Sequence, residues 1–296
     1  MLSILIPTYN YNVLPLAEII EQQALKAGIV FELICMDDGS FSEHNKKNQQ
    51  INTLANCKFI ENKKNVGSKA NRQRLAELAQ YDWLLFIDAD SKPKSPEYLS
   101  NYIKEISSSN DAVFGGIAYN DISVDSSKVL RYRFGKEREE VDANIRNKKP
   151  YKVIASANYL IKRSVFLGIS SWKDMNIYGL DYLFSTQLKE KSIKVKHINN
   201  EVFHLGLDTN DAFLKKTKNA VKALHSVINS GLIKTHSIGL LNAYTIVKFV
   251  GLRKPLAWLF KKTENRIENN LKGESPNLFL FDTYRLGYFC TLSSQS

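Results

Sequence analysis

Cysteine is scarce in this sequence, and its spacing supports no metal or disulfide framework. The chain has three cysteines in 296 residues, Cys35, Cys57 and Cys290, and no two of them form a C-x-x-C pair. This pattern gives no support for a zinc site or for a small secreted domain held by disulfides. We therefore expect a protein of a reducing compartment.

A long uninterrupted apolar segment is also lacking. The apolar start of the chain has no basic leader and reaches Pro7 too early for the core of a signal peptide. Residues 238–252 are apolar, but Asn242 and Lys248 interrupt a stretch that is already short for a membrane span. We expect a cytoplasmic protein in which this segment lies on a surface.

Acidic residues are outnumbered, 30 against 41 lysines and arginines, which gives a formal net charge of +11. The excess belongs to the tail, because residues 211–296 hold 13 basic and five acidic residues. A basic tail can meet nucleic acid, anionic lipid or a phosphorylated substrate, and charge alone does not choose among them. The hydrophobic content of 44% excludes a disordered chain and favours a globular protein of enzyme size.

The first half of the chain alternates short apolar runs with amphipathic segments. Strands are predicted at residues 2–6, 31–36, 58–60 and 83–87. Helices are predicted from Leu16 to Ala27, after Gly67 and from Pro96. The helix after Gly67 is expected to bury an apolar face of Leu75, Leu78 and Ala79. The alternation predicts a mainly parallel sheet with helices on both faces, whose ligands bind beyond the carboxyl ends of the strands. The loops at residues 7–10, 37–40 and 88–90 should then meet at one edge.

The second half predicts fewer regular elements before a helical tail. Residues 120–149 are polar and are expected to form loop and helix on the surface. Strands are predicted at residues 153–161, 193–198 and 201–204, and a helix at 181–190. We expect a catalytic domain at residues 1–207 and a basic, mostly helical extension at 208–296.

Asp88 and Asp90 stand two residues apart directly after an apolar strand. Such a pair can hold a divalent cation and a ribose, although Asp is also common in simple turns. Haloacid-dehalogenase phosphatases place a similar pair after their first strand and continue with Gly. Here Ser91-Lys92-Pro93 follows the fourth predicted strand, which speaks against a phosphatase.

An ordered set of motifs gives the pair its context. The segments are Ile4–Asn10, Asp37–Ser40, Asn65–Gly67, Arg72, Leu85–Asp90 and Gly179–Asp181. Their order and spacing resemble the family-2 glycosyltransferases over roughly residues 1–207. The resemblance implies the α/β GT-A fold, a mainly parallel central sheet flanked by helices. It also implies an inverting mechanism and a nucleotide-diphosphate sugar donor, commonly a UDP-sugar, with Mn²⁺ or Mg²⁺ as the metal.

The same resemblance implies residues that bind the nucleotide. Pro7 and Tyr9 would flank the base, and Asp38 would accept a hydrogen bond from a uracil ring nitrogen. Asn65 and Arg72 would complete the base and diphosphate side. These roles suit the side chains, because a carboxylate accepts from a ring N–H and a guanidinium pairs with phosphate oxygens.

For the metal, the resemblance implies Asp90 as a direct ligand and Asp88 as a contact to the ribose or to a metal-bound water. His204 stands where many family members place a histidine near the metal and diphosphate. The alternative is that His204 is structural, as a lone histidine at a strand end usually is. His197 has no counterpart in the family and is expected to be structural.

Asp181 matches the second acid of the family's Glu-Asp pair and is the candidate catalytic base, since an inverting transfer needs a carboxylate to take the acceptor's proton. Leu180 stands where the first acid is usual, which puts acceptor preference in doubt. It also leaves open a non-catalytic nucleotide-sugar or glycan-binding protein of the same fold. A nucleotidyltransferase would need a Gly- and Arg-rich loop in place of residues 7–10.

The expected activity is transfer of a hexosyl or N-acetylhexosaminyl group to a hydroxyl of a glycan or lipid-linked glycan. The tail is expected either to pack as helices with a solvated cationic face or to contact an anionic membrane surface at the inner leaflet. No nucleic-acid-binding module is recognisable in the sequence, so no nucleic-acid partner is expected.

Overall fold

The computed structural model describes residues 1–106, 109–121, 124–169, 181–231 and 238–294, and for residues 181 and 182 the backbone alone. The strands in these ranges are β1 Leu2–Thr8, β2 Phe31–Asp37, β3 Cys57–Glu61, β4 Trp83–Ile87, β5 Ser91–Pro93, β6 Ala112–Phe114, β7 Ile117–Ala118, β8 Asn158–Lys162, β9 Val195–His197 and β10 Val202–His204. The α-helices are α1 Leu14–Lys26, α2 His44–Asn48, α3 Ser68–Leu78, α4 Tyr98–Ile106, α5 Val129–Phe134, α6 Ala143–Asn147, α7 Arg163–Ile169, α8 Asp181–Glu190, α9 Asn210–Asn229, α10 Gly239–Phe249, α11 Arg253–Lys272 and α12 Leu278–Ser293.

Two compact units divide the described residues. The first draws on Met1–Tyr119, Glu139–Asn176 and Leu188–Gly206. The second draws on Asn120–Arg138, Ile177–Gln187 and Leu207–Ser296. The second unit therefore combines the helical tail with two earlier segments, whereas the division expected at residue 207 treats those segments as part of the first domain.

A seven-stranded sheet forms the centre of the first unit, in the order β3-β2-β1-β4-β8-β6-β9. β1 pairs in parallel with β2 and β4, β2 with β3, and β6 with β9. β8 runs antiparallel to both of its neighbours. Leu2, Ile4, Leu5 and Ile6 of β1 are completely buried, as expected of a strand covered by helices on both faces. The predicted α/β fold with a mostly parallel sheet is confirmed.

A smaller sheet in the order β5-β10-β7 was not predicted as a sheet. β5 and β7 have three and two residues, too few to carry a periodic apolar pattern. β10 pairs antiparallel with β5, so that His204 lies opposite Ser91. This sheet brings the segment after β4 next to the end of β10.

Three local expectations need correction. Leu78 was expected on the buried face of α3 but is 52% exposed, and Ala76 is buried instead. α4 begins at Tyr98 rather than at Pro96, although the Ser95 hydroxyl accepts a hydrogen bond from the Glu97 amide at 3.0 Å. The polar stretch at 120–149 is not all surface, because Arg146 is buried.

The core of the second unit joins α5, α9, α11 and α12. Its buried residues are Leu130, Leu214, Phe260, Ile267, Leu271, Leu278, Phe281 and Tyr284. Gly287 of α12 lies against Phe260, where a β-carbon would meet the ring at 2.6 Å. Along the described residues, no helix is long and apolar enough to cross a membrane.

A buried guanidinium organises one end of the first unit. Arg146 donates to the carbonyl oxygens of Val141 at 2.8 Å, Phe114 at 3.1 Å and Ile198 at 2.8 Å. It also lies 2.9 Å from His197 Nδ1. A guanidinium has only donors, so His197 Nδ1 accepts and the ring proton sits on Nε2, which donates to the Pro150 carbonyl at 2.8 Å. His197 is therefore a neutral structural residue.

Protonation of His197 should oppose folding. Burial, together with the charge of Arg146, lowers its pKa from 6.5 to about 4, although the bond to Pro150 acts in the other direction. Between these two pH values the unfolded chain binds a proton that the folded chain does not. The contribution of His197 is complete above pH 6.5, and it should be lost as the pH falls toward 4, by about 3 kcal/mol in unfolding free energy.

Urea unfolding at several pH values tests this, with His197→Gln as the variant, because a glutamine amide can both accept and donate but does not titrate. We expect the variant to lose less stability than the wild type between pH 7 and pH 5. The exposed His44→Gln is the control and should keep the wild-type pH dependence. Parallel wild-type and His197→Gln profiles would contradict the assignment.

Candidate functional site

The carboxyl ends of β1, β2 and β4 lie side by side at one edge of the central sheet. Thr8 pairs with Asp37, and Leu5 pairs with Phe86 two residues before Asp88. The Asp38 amide donates to the Thr8 carbonyl at 2.9 Å, which continues the pairing past the end of β2. Parallel pairing thus brings together the loops that carry the acidic motifs.

Asp38 connects the end of β2 to the loop before α3. Its carboxylate is almost fully buried, and Oδ1 accepts from the Val66 amide at 2.9 Å and from Asn62 Nδ2 at 3.3 Å. Oδ2 accepts from the Gly67 amide at 2.8 Å. A carboxylate offers about four acceptor positions, so one position on Oδ2 remains for another donor.

Gly39 allows these two loops to touch. Its φ is +67°, and a β-carbon there would lie 2.6 Å from the Asn65 amide nitrogen and 2.8 Å from Lys64 Cα. Any larger residue would push the loops apart. Asp37, completely buried, holds the Ser40 amide at 2.8 Å and the Ser40 hydroxyl at 2.7 Å. Asp37, the first acid of the Asp-Asp-Gly-Ser motif, therefore shapes the loop. The motif alone did not show whether this acid has a structural or a binding role.

Arg72 and Asp88 form an ion pair at this edge. The guanidinium of Arg72 on α3 donates to the Asp88 carboxylate and to the Ser68 hydroxyl. Their side chains are 17% and 29% exposed, so the pair is only partly screened by water. Lys69, one turn earlier on α3, is partly buried, and burial lowers its pKa. Two basic side chains of α3 therefore lie at the amino end of the helix, where anions bind well.

Asp90 lies against the end of β10. Its Oδ2 is 3.3 Å from His204 Nε2, and its carbonyl accepts from the Leu205 amide at 2.8 Å. A β-carbon on Gly206 would collide with the Asp90 carboxylate, so glycine at this position lets the carboxylate lie against the backbone. The role of Gly206 was missed, because no sequence signal connects it to Asp90. Tyr119 packs its ring against His204 with centroids 5.8 Å apart.

Tyr11 is a further neighbour that the sequence did not single out. Burial raises the pKa of its hydroxyl, and the negative charge of Asp90 raises it further. Tyr11 therefore remains a neutral hydrogen-bonding group beside the carboxylate. Its place directly after the loop at residues 7–10 is the one signal that could have suggested it.

The side chains at this edge can be compared with the ligands that a metal ion requires. In the part of the chain that the structure describes, no three or more His, Cys, Asp or Glu side chains gather as an ion-binding group. Asp90 Oδ2 and His204 Nε2 are nevertheless donors of the kinds that Mn²⁺ accepts, and His204 Nδ1 is buried with no hydrogen-bond partner among the described residues. Mg²⁺ often takes one or two protein ligands and completes its shell with substrate phosphates and water. The pair fits an ion shared with a phosphorylated ligand.

The remaining predicted site residues are less constrained. Tyr9 is 58% exposed and Pro7 is half-buried at the end of β1. Asn65 is exposed, and its side chain accepts from the Gly67 amide at 3.0 Å. Asp181 begins α8, but its side chain lies outside what the structure describes, as do Gly179 and Leu180. The structure thus brings together Asp38, Arg72, Asp88, Asp90 and His204.

Comparison with known proteins identifies this architecture. Residues 3–167 match the family described as Glycosyl transferase family 2. No curated protein matches the chain. S. aureus TarS 1-349 in complex with UDP-GlcNAc is similar with a TM-score of 0.51 at 13% identity, covering 99% of this chain and 91% of that one. This similarity supports the GT-A fold.

Two further structures give TM-scores below 0.5. The S. aureus TarS structure gives a TM-score of 0.48 at 16% identity over 75% of this chain, and this chain covers only 39% of that one. The mannosyltransferase PcManGT from Pyrobaculum calidifontis in complex with GDP-Man and Mn²⁺ gives 0.47 at 15% identity, with coverage of 77% and 64%. The chain therefore spans well under half of the TarS chain.

The contacts of Asp38 predict that its substitution lowers stability, and any binding experiment must separate this effect from a direct loss of binding. Asp38→Ala leaves the Val66 amide without its acceptor and leaves the Gly67 amide with the Asn65 side chain alone, which should lower the unfolding free energy by about 1–3 kcal/mol. Hydrogen exchange of these two amides should accelerate. The exposed Asp82→Ala is the control and should change stability by less than about 0.5 kcal/mol. Equal stability of the two variants would contradict the contacts described here.

Proposed function

Because this chain belongs to glycosyl transferase family 2, we propose that it transfers a sugar from a nucleotide-diphosphate donor, a UDP-sugar, to a hydroxyl of a glycan or lipid-linked glycan. The transferred group is a hexose or an N-acetylhexosamine. One observation carries the proposal. Asp88 and Asp90 follow the end of β4 and pair with Arg72 of α3 and His204 of β10. The buried carboxylate of Asp38 follows β2 at the same edge of the sheet.

The nucleotide is bound by residues of β1, β2 and α3. Asp38 uses its remaining Oδ2 acceptor position for the ring N–H of uracil, while Pro7 and the exposed Tyr9 ring flank the base. Asn65 is a further contact on the base side of the nucleotide. A diphosphate carries more negative charge than a carboxylate, so Arg72 exchanges its contact with Asp88 for phosphate oxygens. Asp88 is then released to accept a hydrogen bond from the ribose.

Asp90 and His204 are the residues that would hold Mn²⁺ or Mg²⁺. When bound, the ion supplies positive charge at the diphosphate that leaves the sugar. Gly206 keeps the Asp90 carboxylate in place beside β10, and Arg72 adds a second cation on the opposite flank of the pair of aspartates. The chain thus offers charge stabilisation for a leaving group whose negative charge increases during the reaction.

Asp181 takes the proton of the acceptor hydroxyl. The acceptor oxygen then bonds to the anomeric carbon while the bond from that carbon to the diphosphate breaks, and the nucleoside diphosphate leaves with the electron pair. Attack from the side opposite to the leaving group inverts the configuration at that carbon. This assignment rests on the match of Asp181 to the family motif.

A binding protein without catalysis is the second candidate, and Leu180 is the observation that favours it. Leu180 replaces an acid that often contacts the acceptor in this family, and in the second candidate the chain binds a nucleotide sugar without transferring it. Incubation with UDP-, GDP- and dTDP-sugars, Mn²⁺ and candidate acceptors separates the two. Release of nucleoside diphosphate supports the enzyme, and donor binding without release across the panel supports the binding protein.

We place the enzyme at the inner face of the cytoplasmic membrane. The basic helices of the second unit supply the positive charge for an anionic lipid surface, where a lipid-linked acceptor would be found. We propose no nucleic-acid partner.

The metal assignment predicts a loss of metal-dependent binding. Calorimetry with UDP should show that Mn²⁺ strengthens binding to the wild type and that Asp90→Ala abolishes this gain. Gly206→Ala displaces the carboxylate and should weaken Mn²⁺-dependent binding by about tenfold or more. Gly168→Ala is the matched control, because Gly168 has open space around it and should bind as the wild type does. Equal binding by Asp90→Ala would refute the site.

The assignment of the base predicts a separate loss of turnover. Asp181→Asn should fold and bind donor as the wild type does, while the release of nucleoside diphosphate in the presence of acceptor falls by about 10²–10⁴-fold. Donor affinity and the circular dichroism spectrum are the internal controls. Retained turnover would assign the proton transfer to another residue.

A further inference from the structure

Apolar side chains that the core does not use are concentrated where α10 ends and α11 begins. Phe249 is 90% exposed and Trp258 is 61% exposed. We call residues 246–262 the α10–α11 corner, and its exposed apolar residues are Ile246, Phe249, Val250, Leu252, Trp258 and Leu259. Single exposed apolar residues are ordinary on a protein surface, but six within 14 positions are a cluster that calls for a covering partner.

The corner is also positively charged without compensation. No acidic residue occurs between Asp211 and Glu264. The corner holds Lys248, Arg253, Lys254, Lys261 and Lys262, and among the described residues none of these five has a carboxylate within ion-pair distance. Among the other basic residues of the second unit, Lys218 is paired with Glu264 at 2.7 Å and Lys272 with Asp211 at 2.7 Å. The charge of the corner is therefore available to a partner.

Apolar and basic side chains share one face of α11. Lys254, Trp258 and Lys262 follow each other at steps of four residues, so they lie on one side of the helix. The Lys262 ammonium lies 5.0 Å from the centre of the Trp258 ring. The opposite side carries Ala257 and Phe260 into the core. The outward face is thus amphipathic itself, unlike an ordinary surface helix, whose outward face is polar.

We infer that the α10–α11 corner docks on an anionic lipid bilayer. Tryptophan and phenylalanine suit the depth of the headgroups, and lysine and arginine can extend beside them to lipid phosphates. A bilayer supplies both negative charge and apolar depth over the whole corner, whereas a protein partner would need a matching acidic surface with a pocket for each ring. The inference deepens the proposed function by naming the surface that meets the membrane.

Sedimentation with vesicles tests the contribution of the apolar side chains to docking. Vesicles of phosphatidylcholine with about one third phosphatidylglycerol should bind the wild type, less at high salt, and pure phosphatidylcholine should bind it at least about tenfold more weakly. The double variant Phe249→Ser with Trp258→Ser should lose about tenfold or more of its binding to the anionic vesicles. Phe279→Ser is the matched control, because Phe279 is 76% exposed but lies outside the corner.

A second pair of variants tests the position of the charge. Lys254→Glu with Lys262→Glu should abolish binding to anionic vesicles. Lys215→Glu with Lys222→Glu changes the net charge equally on exposed positions of α9 and should stay within about threefold of the wild type. The comparison separates a local docking surface from an effect of overall charge.

Three outcomes would overturn the inference. They are no binding of the wild type to anionic vesicles, an equal loss in the control variants, or a dimer in sedimentation velocity that the Phe249→Ser, Trp258→Ser variant dissociates, because a second copy would then cover the corner. Release of nucleoside diphosphate with a soluble acceptor should be unchanged in all corner variants. Vesicle binding without any nucleotide release would contradict the proposed function and leave the docking surface intact.

Discussion

The buried carboxylate of Asp38 is the contact on which the geometry of the site depends. Three short parallel strands end at one edge, and loops at such an edge would be free to separate without a common anchor. Asp38 supplies it by accepting from two backbone amides of the loop before α3, and Gly39 permits the close approach. The position of α3 follows, and with it the position of Arg72 beside Asp88.

The sequence predicted the elements that carry a clear apolar pattern. The runs that became β1, β2 and β4 are mostly apolar. The helix after Gly67 follows a residue with a φ of +90°, a conformation that glycine adopts more easily than other residues. The motif order also indicated which loops would meet. The elements it missed, such as β5 and β7, are too short for periodicity, because they form through pairing with β10, a distant part of the chain.

What the sequence could not predict is which individual side chains would be buried against the usual preference of their residue type. Arg146 and Leu78 show this in opposite senses, one a buried cation and the other an exposed leucine. Charge and hydropathy predict burial only on average, and the hydrogen-bond partners that make a buried guanidinium tolerable are distant in sequence. Gly206 is similar, because its importance is a contact with a carboxylate more than 100 residues earlier. Asp181 stays a prediction from the motif.

The ion pair of Arg72 with Asp88 bears on the proposed binding of a nucleotide. Each charge compensates the other, so neither partly buried side chain is left without a partner of opposite charge. In the proposed function, a diphosphate would exchange one anion beside Arg72 for another. The same competition from Asp88 would weaken the binding of free phosphate to Arg72.

Arg146 gives the first unit a property that no surface lysine could. Its positive charge is held by carbonyl oxygens and a neutral imidazole, with no carboxylate within ion-pair distance among the described residues, although the more distant charges of Glu201 and Asp142 also act on it. A guanidinium keeps its proton throughout the physiological range. Phe114 ends β6 of the large sheet, and Ile198 lies between β9 of the large sheet and β10 of the small one. A permanent positive charge is therefore held where the chain passes from one sheet to the other, and no change of pH within the physiological range removes it.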